Sequence, residues 1–361
     1  MSFKKFILLC CFLALSFQKI QGCTGIIQKA ENGDWVYSRT MEFGVDMMSF
    51  DLFFIPRGLY YDPPSWLKQP SAAWTTKYAY VGFGPFGLPS LVDGLNEKGL
   101  AAGAFFFPGW AQYQKVDSKE QSKAVSNIDF VSWVLGNFST VAEAREALKN
   151  TKVVGIVFEP WKMVPPIHYI VTDKTGDRIV VEYVDGNQRI YDAPIGTITN
   201  APTYDWHSLN ARNYIGLKAL NNPSIAINGK QLAQFSQGSG AIGLPGDFTS
   251  PSRFIRASFL NQVVLAKKDG QEQVERAFKI LNQFDIPKGA VRAMDKGKEK
   301  YEETQWTSAS DLSNSRYYFH TNTSRMIRFI DLKSLDLDAK EIKSISVDTP
   351  ETFVDITSSI R

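Results

Sequence analysis

The sequence has few of the residues that bind metal ions and close disulfides. Among 361 residues there are three cysteines and three histidines, and the histidines are scattered at His168, His207 and His320. These residues give no zinc-binding spacing, and the glycines form no phosphate loop or dinucleotide fingerprint. We therefore expect a reaction that uses neither a metal ion nor a cofactor.

The sequence also lacks a marked excess of charge of either sign. It has 40 basic and 37 acidic residues, a formal net charge of +3. This balance provides no basic field of the kind that nucleic-acid binding requires. Apolar residues make up 44% and charged residues 21% of the chain, as in globular proteins. Disordered, collagenous and polytopic membrane proteins are thereby excluded, and we expect no nucleic-acid partner.

The long apolar run that the sequence does contain lies at its start. Residues 6–17 are apolar except for one serine, preceded by Lys4 and Lys5 and followed by a short polar stretch at 18–22. The run is shorter than the ~20 residues of a transmembrane helix and has the pattern of a secretory signal peptide. We predict that residues 1–22 are removed and that residues 23–361 form a single domain without stable membrane insertion. The mature protein would be exported, either to a periplasm or into the medium.

Removal of this leader would leave one cysteine. Cys10 and Cys11 would go with the leader, and Cys23 would become the first residue of a formally neutral chain that has no internal disulfide. Three interpretations of Cys23 are open: a buried structural cysteine, a lipid anchor, and an N-terminal nucleophile. The second describes a non-catalytic, membrane-tethered lipoprotein. Gly22 suits a lipidation site, whereas Gln21 does not.

The chemistry of the third interpretation is self-contained. A free α-amine has a pKa of about 7.7–8, so it can accept a proton near neutral pH. A thiol is an intrinsically strong nucleophile, and the amine of the same residue can activate it. This arrangement needs no catalytic histidine.

Apolar patterns alternate along the chain between those of strands and those of helices. Residues 23–29 and 35–41 read as strands joined by a turn at Asn32-Gly33. Residues 140–148 read as a helix with a capping box, and 211–220 as a further helix. Sheet and helix segments in this order predict a layered α+β sandwich.

Six stretches, taken together, resemble the choloylglycine hydrolase and penicillin V acylase family. They follow in the family's order and span most of residues 23–335. They are 23–25 (CTG), 38–42 (SRTME), 93–100 (DGLNEKGL), 191–200 (YDAPIGTITN), 244–254 (LPGDFTSPSRF) and 305–307 (QWT).

The resemblance implies the four-layer αββα sandwich of the N-terminal nucleophile hydrolases. It also implies hydrolysis of a linear amide through a thioester on Cys23, with the α-amine of that residue as base. Arg39 would lie beside the thiol, where a cation favours the thiolate. Glu42, where the family usually has aspartate, would be oriented on the amine.

The resemblance further implies how the site would stabilise the transition state. The side-chain amide of Asn200 and the backbone N–H of Phe106 would donate to the oxyanion, and Arg253 would close the polar network. Residues 105–107 are all phenylalanine, where bile salt hydrolases carry an asparagine and penicillin acylases a tyrosine. A backbone donor survives that difference, whereas a polar side-chain contact does not.

The substrate is less sharply indicated than the reaction. Phe43, Met47, Phe105 and Phe107 are candidates for an apolar acyl pocket, although the same residues would suit a core. The resemblance implies a small N-acyl amide as partner. Candidates are penicillin V, N-acyl homoserine lactones, conjugated bile salts and fatty N-acyl amides. Family members often form tetramers, so it also implies a homotetramer.

Overall fold

A computed structural model describes residues 22–44, 48–61, 72–117, 120, 124–295 and 297–360. Met47 and all of the predicted signal peptide except Gly22 lie outside the described residues. The strands are β1 (Cys23–Lys29), β2 (Trp35–Gly44), β3 (Phe50–Ile55), β4 (Tyr60–Tyr61), β5 (Trp74–Thr75), β6 (Tyr80–Pro85), β7 (Asp93–Asn96), β8 (Leu100–Phe106), β9 (Ala124–Ser126), β10 (Lys152–Val154), β11 (Ile167–Asp173), β12 (Arg178–Val184), β13 (Asn187–Asp192), β14 (Thr197–Ile198), β15 (Ile225–Ile227), β16 (Lys230–Leu232), β17 (Val291–Asp295), β18 (Lys298–Asp311), β19 (Arg316–Thr321), β20 (Arg328–Asp331) and β21 (Lys343–Ser346). The α-helices are α1 (Phe130–Asn137), α2 (Val141–Leu148), α3 (Tyr204–Ala211), α4 (Ser250–Val263) and α5 (Gly270–Leu281).

Two large sheets face each other across the main core. The first has the order β14-β1-β2-β18-β19-β20, with β17 paired to β18, and the second has the order β13-β12-β11-β8-β7-β6-β3-β21. Apolar side chains from both sheets fill the space between them. Examples from the first sheet are Ile27 and Tyr37, and examples from the second are Val81, Leu95 and Ile170.

The helices cover the outer face of each sheet. Helices α4 and α5 pack on β1, β2 and β18, whereas α1 and α2 pack on β7, β8 and β11. The layers therefore run helix, sheet, sheet, helix, which confirms the predicted αββα sandwich. Among the described residues, no helix is both long and apolar enough to cross a bilayer.

Local sequence signals account for several element ends. The predicted turn at Asn32-Gly33 joins β1 to β2, with Gly33 at a φ of 98° that favours glycine. The Oγ1 of Thr140 accepts the Glu143 N–H, and the Glu143 carboxylate accepts the Ser139 N–H, so the predicted capping box begins α2.

A β-bulge in β18 changes the direction of side chains beside the start of β1. Thr304 pairs with Glu42 and Trp306 pairs with Met41, so Gln305 is an extra residue opposite β2. Because of this insertion, Thr304 reaches the Glu42 carboxyl on one face, while Trp306 stacks on Phe83 between the sheets, with ring centroids 4.2 Å apart.

The helix predicted at 211–220 is wrong. Helix α3 ends at Ala211, and after one short 3-10 turn the chain continues with no further α-helix before α4 and mostly exposed to solvent, although Leu217 and Leu244 still pack on the main core. It extends through residues 215–244, here called the arm, which includes the β15–β16 hairpin. The side chains of Ile215 and Leu220, within the predicted helix, are 87% and 78% exposed.

Candidate active site

Cys23 is the first residue of β1 and is buried between the two sheets. Its partner across the hairpin is Met41, whose Sδ lies 3.8 Å from the Cys23 Sγ. Arg39 lies two residues before Met41 on β2, so its side chain is on the same face of the sheet. Its Nη2 lies 3.1 Å from the Cys23 Sγ, so the structure brings the predicted nucleophile and the predicted cation into contact.

The guanidinium of Arg39 is held on all sides. Its Nη1 donates to Ala104 O at 2.6 Å and to Val92 O at 3.2 Å, and its carbon lies 4.1 Å from the ring centroid of Phe105. Asp93 provides a further buried negative group near this cation. Such fixed contacts let a planar cation remain aimed at one sulfur atom.

Burial is nevertheless the stronger influence on the thiol. It raises the pKa of Cys23 above the ordinary value, and the charge of Glu42 acts in the same direction, against Arg39 and Arg253. The expectation that a nearby cation would favour the thiolate is therefore offset in the uncut chain. A base must remove the thiol proton before the sulfur can attack.

Asn200 and Arg253 meet at the backbone of Cys23. The N–H of Cys23 donates to Asn200 Oδ1 at 2.8 Å, and Arg253 Nη2 donates to the same oxygen at 2.6 Å. Arg253 also donates to Cys23 O and, at 3.0 Å, to Thr24 Oγ1. Because a guanidinium is only a donor, it fixes which end of the Asn200 amide faces Cys23.

The other end of the Asn200 amide is directed at β8. Its Nδ2 donates to Phe106 O at 2.9 Å, which leaves one hydrogen of the amide for another acceptor. The N–H groups of Ala104 and Phe107 donate in opposite directions, to Val92 O and Pro166 O. Because amides alternate along a strand, the N–H of Phe106 points to the same side as that of Ala104, toward the pocket beside Cys23.

Two histidines that no sequence motif singled out contact the backbone at Asn200 and at the residue before it. His207 Nε2 lies 2.9 Å from Asn200 O, and His168 Nε2 lies 3.0 Å from Thr199 O. Burial lowers the pKa of His207 to about 4, so its ring is neutral and donates from Nε2. His168 is held in turn by Glu182 at 3.0 Å. His168 lies 14 and 31 positions from its two partners, and His207 lies seven positions after Asn200 but in no recognised motif, so the sequence gave no signal for either.

Glu42 lies on the helix-facing side of the first sheet. Its Oε1 accepts from Thr304 Oγ1 at 3.2 Å, and its backbone N–H donates to Gly22 O at 2.9 Å. Burial raises the pKa of Glu42 to about 8, although Arg253 opposes the shift. Glu302, which sequence reasoning missed, is a second buried carboxyl beside Gly22, and burial raises its pKa as well.

An apolar pocket opens beside the Cys23 thiol. Its volume is about 50 Å³, enough for a few water molecules. The predicted residues Phe43 and Phe105 line it. Phe107 does not line it: its ring stacks on His168 with centroids 4.4 Å apart, so the structure places this predicted contact outside the pocket. Further lining side chains are Met41, Met48, Val92, Phe106, Trp161 and Ile167.

The site belongs to the described part of the chain, and there no three His, Cys, Asp or Glu side chains come together as a metal-binding group. The predicted catalytic residues do come together: Cys23, Arg39, Asn200 and Arg253 are linked by hydrogen bonds, and Glu42 adjoins Gly22. Met47, predicted to bind substrate, lies outside the described residues.

Comparisons with known proteins give a consistent result. Residues 23–345 match the model of the family described as linear amide C–N hydrolases, choloylglycine hydrolase family. The chain is 36% identical to a bile salt hydrolase/transferase of Clostridium perfringens, over 89% of this chain and 96% of that protein. It is 28% identical to a penicillin V acylase of Pectobacterium atrosepticum, over 74% and 70% of the two chains.

Solved structures are similar over nearly the whole chain. A crystal structure of a variant of conjugated bile acid hydrolase from Clostridium perfringens superposes with a TM-score of 0.81 at 32% identity, covering 93% of this chain and all of that one. Penicillin V acylase from Agrobacterium tumefaciens gives a TM-score of 0.72 at 25% identity, covering 90% and 91%.

Proposed function

The chain belongs to the choloylglycine hydrolase family of linear amide C–N hydrolases, and from this premise we propose that it cleaves small N-acyl amides with Cys23 as nucleophile. The observation that carries the proposal is the pair of contacts at Cys23. Arg39 Nη2 lies 3.1 Å from its sulfur, and Asn200 Oδ1 lies 2.8 Å from its backbone nitrogen. Arg39 thus holds the thiol, and Asn200 holds the nitrogen that would become the α-amine after cleavage.

The reaction would start with proton transfer from the thiol to the free α-amine of mature Cys23. The sulfur then attacks the amide carbon, and the carbonyl oxygen becomes an oxyanion. The Phe106 N–H and the free hydrogen of Asn200 Nδ2 would donate to this oxyanion. As the C–N bond breaks, the leaving amine takes the proton from the α-ammonium and a thioester is left on Cys23. Water, deprotonated by the same α-amine, then hydrolyses the thioester and restores the thiol.

The acyl group would enter the apolar pocket, whose aromatic walls support a flat or slender group. Phe43 and Trp161 stack there with ring centroids 5.2 Å apart. Penicillin V and N-acyl homoserine lactones carry acyl groups of that kind. Conjugated bile salts are equally supported by the names of the relatives, but a steroid needs wall residues such as Met48 and Trp161 to move. Fatty N-acyl amides are the fourth candidate.

We further propose that residues 1–22 direct export and that their removal creates the catalytic amine. A single cleavage would then complete export and also activate the enzyme, and the uncut precursor would be inactive. In that precursor the nitrogen of Cys23 is a peptide N–H that donates to Asn200 and has no lone pair free to accept a proton. The mature enzyme would work in a periplasm or in the medium.

Self-association through the arm is a further part of the proposal. The arm carries large apolar side chains in solvent, among them Phe235 at 108% and Ile242 at 77% exposure. Apolar groups clustered in this way on a protruding segment are typical of an interface. A second copy of the chain, within a homotetramer, would cover them.

The experiment that tests the catalytic proposal begins with the mass of the N-terminal peptide of protein exported by its own leader. Cys23 should be free and should take up a thiol-reactive probe. The same protein should hydrolyse at least one of penicillin V, acyl homoserine lactones and glycine-conjugated bile salts, and Cys23→Ala should abolish turnover with an unchanged circular dichroism spectrum. A lipidated Cys23, or activity retained in Cys23→Ala, would overturn the proposal and favour a tethered binding protein.

A further inference from the structure

Glu302 approaches the start of β1 from a neighbouring strand. It pairs with Gly44 across the β2–β18 ladder, and because Gly44 has no side chain, the Glu302 carboxyl can reach over β2. A Cβ added to Gly22 would lie 2.9 Å from Glu302 Oε1, 3.4 Å from the Glu42 Cβ and 3.5 Å from the Arg253 Cζ. Gly22 therefore occupies a small space bounded by two carboxyl side chains and one guanidinium.

In the uncut chain two buried carboxyls, whose pKa values burial raises, face one guanidinium across this space. Glu302 Oε1 and Glu42 Oε2 are buried and have no hydrogen-bond partner among the described residues. Arg253 is the cation that both carboxyls share, and four of its five N–H donors are directed at other oxygens, on Phe248, Cys23, Thr24 and Asn200. Buried carboxyls are stable as ions only when they are paired, so this arrangement lacks a cation.

Cleavage after Gly22 supplies the missing cation at the right place. The bond that breaks joins the Gly22 carbonyl to the Cys23 nitrogen. Water cleaves this bond, Gly22 leaves with the new carboxylate, and the nitrogen becomes an α-amine with one more hydrogen or an α-ammonium with two more. One hydrogen keeps the contact with Asn200 Oδ1, now 2.8 Å long. The others face the space that Gly22 has left, toward Glu42 and Glu302.

We propose that Glu302 is a positioning residue that, together with Glu42, holds the α-amine of mature Cys23 over its own thiol; this assignment rests on the proposed function. The Glu302 carboxyl acts on the amine and touches neither the thiol nor the substrate. In the uncut chain the same carboxyl faces the Gly22 backbone and has no such partner.

The proposal predicts how the amine titrates. The charged groups that surround the amine come from several elements. They are Glu42 and Arg39 from β2, Glu302 from β18, Arg253 from α4 and the thiol itself. Arg292 from β17 lines a second, outer cavity together with Gly22 and Glu302. A carboxylate nearby favours the ammonium and raises the pKa of the amine, whereas the arginines lower it. Loss of Glu302 should therefore lower the pKa of the amine.

The test uses mature enzyme with Glu302→Gln, and Glu275→Gln as the control, because Glu275 is exposed on α5, the helix that packs on β18. The rate of Cys23 alkylation by iodoacetamide, which needs no substrate, is measured against pH beside kcat and KM. We expect Glu302→Gln to move the alkylation midpoint down by about one pH unit. The kcat should fall about tenfold with KM within twofold, and Glu275→Gln should match the wild type.

A second measurement compares the same substitution in two forms of the chain. In a chain that still carries Gly22, Glu302→Gln removes a buried carboxyl that contacts the Gly22 backbone and no amine, and it should leave Tm unchanged or higher. In the mature chain it removes a partner of the ammonium and should lower Tm. If Glu302→Gln does not fold, Glu302→Asp keeps the charge on a shorter side chain, and it should lower kcat while keeping the midpoint within 0.2–0.3 of a unit, roughly the precision of such a titration.

The outcomes separate the inference from the function on which it rests. The role of Glu302 would be overturned if Glu302→Gln kept the wild-type alkylation midpoint and kcat. The same holds for Glu302→Asp where that variant replaces it. Equal changes in Tm in the cut and uncut chains would also overturn the role. A wild-type enzyme that alkylates at Cys23 but hydrolyses none of the amides would overturn the proposed function alone. A merely structural Glu302 would lower Tm in both forms and leave the midpoint in place.

Discussion

The backbone nitrogen of Cys23 lies 2.8 Å from the side-chain oxygen of Asn200, a residue 177 positions further along the chain. The contact points the Asn200 oxygen at the nitrogen that would become the amine in the proposed mature enzyme, and it leaves the Asn200 nitrogen facing β8. In the proposed reaction one amide side chain would therefore serve both halves, as an acceptor for the amine and as a donor for the oxyanion.

Replacement of Asn200 should therefore cost catalysis more than substrate binding. Loss of one oxyanion donor costs about 100- to 1000-fold in kcat at other acyl-transfer sites, and we expect a loss of that size for Asn200→Ala. Asn200→Asp should be equally inactive, because a carboxylate cannot donate to the oxyanion. The measurement is kcat and KM, with Asn187→Ala on exposed β13 as control. A loss confined to KM would contradict the assignment.

Arg39 offers a test on the thiol alone. Since its charge lowers the pKa of the buried thiol, Arg39→Met should raise the pH midpoint of Cys23 alkylation and slow the reaction at neutral pH. Arg39→Lys should lie between the two, because it keeps the charge but loses the planar contacts to Ala104 O and Val92 O. The control is Arg145→Met, which breaks a surface ion pair with Asp192. Equal midpoints in all variants would exclude Arg39 from thiol activation.

The contacts that could be predicted from the sequence are those set by one hairpin. The turn at Asn32-Gly33 fixes the register of β1 against β2, so Cys23, Arg39 and Met41 meet by local geometry. The αββα class and the pairing of Cys23 with Asn200 and Arg253 followed from ordered motifs rather than from any single pattern.

The residues that were missed are placed by the fold and belong to no recognised motif. His207 lies seven positions after Asn200, and helix α3 turns it back onto that residue. Glu302 reaches Gly22 from another strand. The helix predicted at 211–220 failed for a different reason: its side chains lie mostly in solvent, Ile215 and Leu220 among them, and a helix in a protein depends on packing for its stability. Burial of Phe107 against His168 likewise depends on the neighbouring strand β11.

The histidine behind Asn200 makes the fold sensitive to acid. His207 has a pKa of about 4 when folded and an ordinary value of 6.5, because burial disfavours its charged form. Its neutral ring therefore contributes stability above pH 6.5, and that contribution is lost as the pH falls from 6.5 toward 4. We expect wild type to lose up to about 3 kcal/mol more than His207→Gln over this window in denaturant titrations. If the free energy of unfolding fell with pH in the same way for the wild type and for His207→Gln, His207 would not be the source of the acid sensitivity.

The arm should control assembly without controlling chemistry. We expect light scattering to give the mass of a tetramer for the wild type and a smaller mass for the pair Phe235→Ser and Ile242→Ser, because polar side chains remove the apolar contact. Phe353→Ser, at a residue that is 91% exposed outside the arm, is the matched control. A monomeric wild type, or an unchanged mass in the paired variant, would rule out the arm as the interface.

Trp161 should decide which acyl groups are accepted. Its ring stacks on Phe43 at an interplanar angle of 12° and closes a pocket of only about 50 Å³. Trp161→Ala should enlarge the pocket and raise the ratio of kcat/KM for a conjugated bile salt to that for penicillin V by about tenfold, the scale on which apolar pockets discriminate by size. Trp110→Ala, a change at a half-exposed ring that does not line the pocket, should leave the ratio as it is. If Trp161→Ala lowered both values equally, the tryptophan would serve the fold of the wall, and the acyl group would be selected elsewhere.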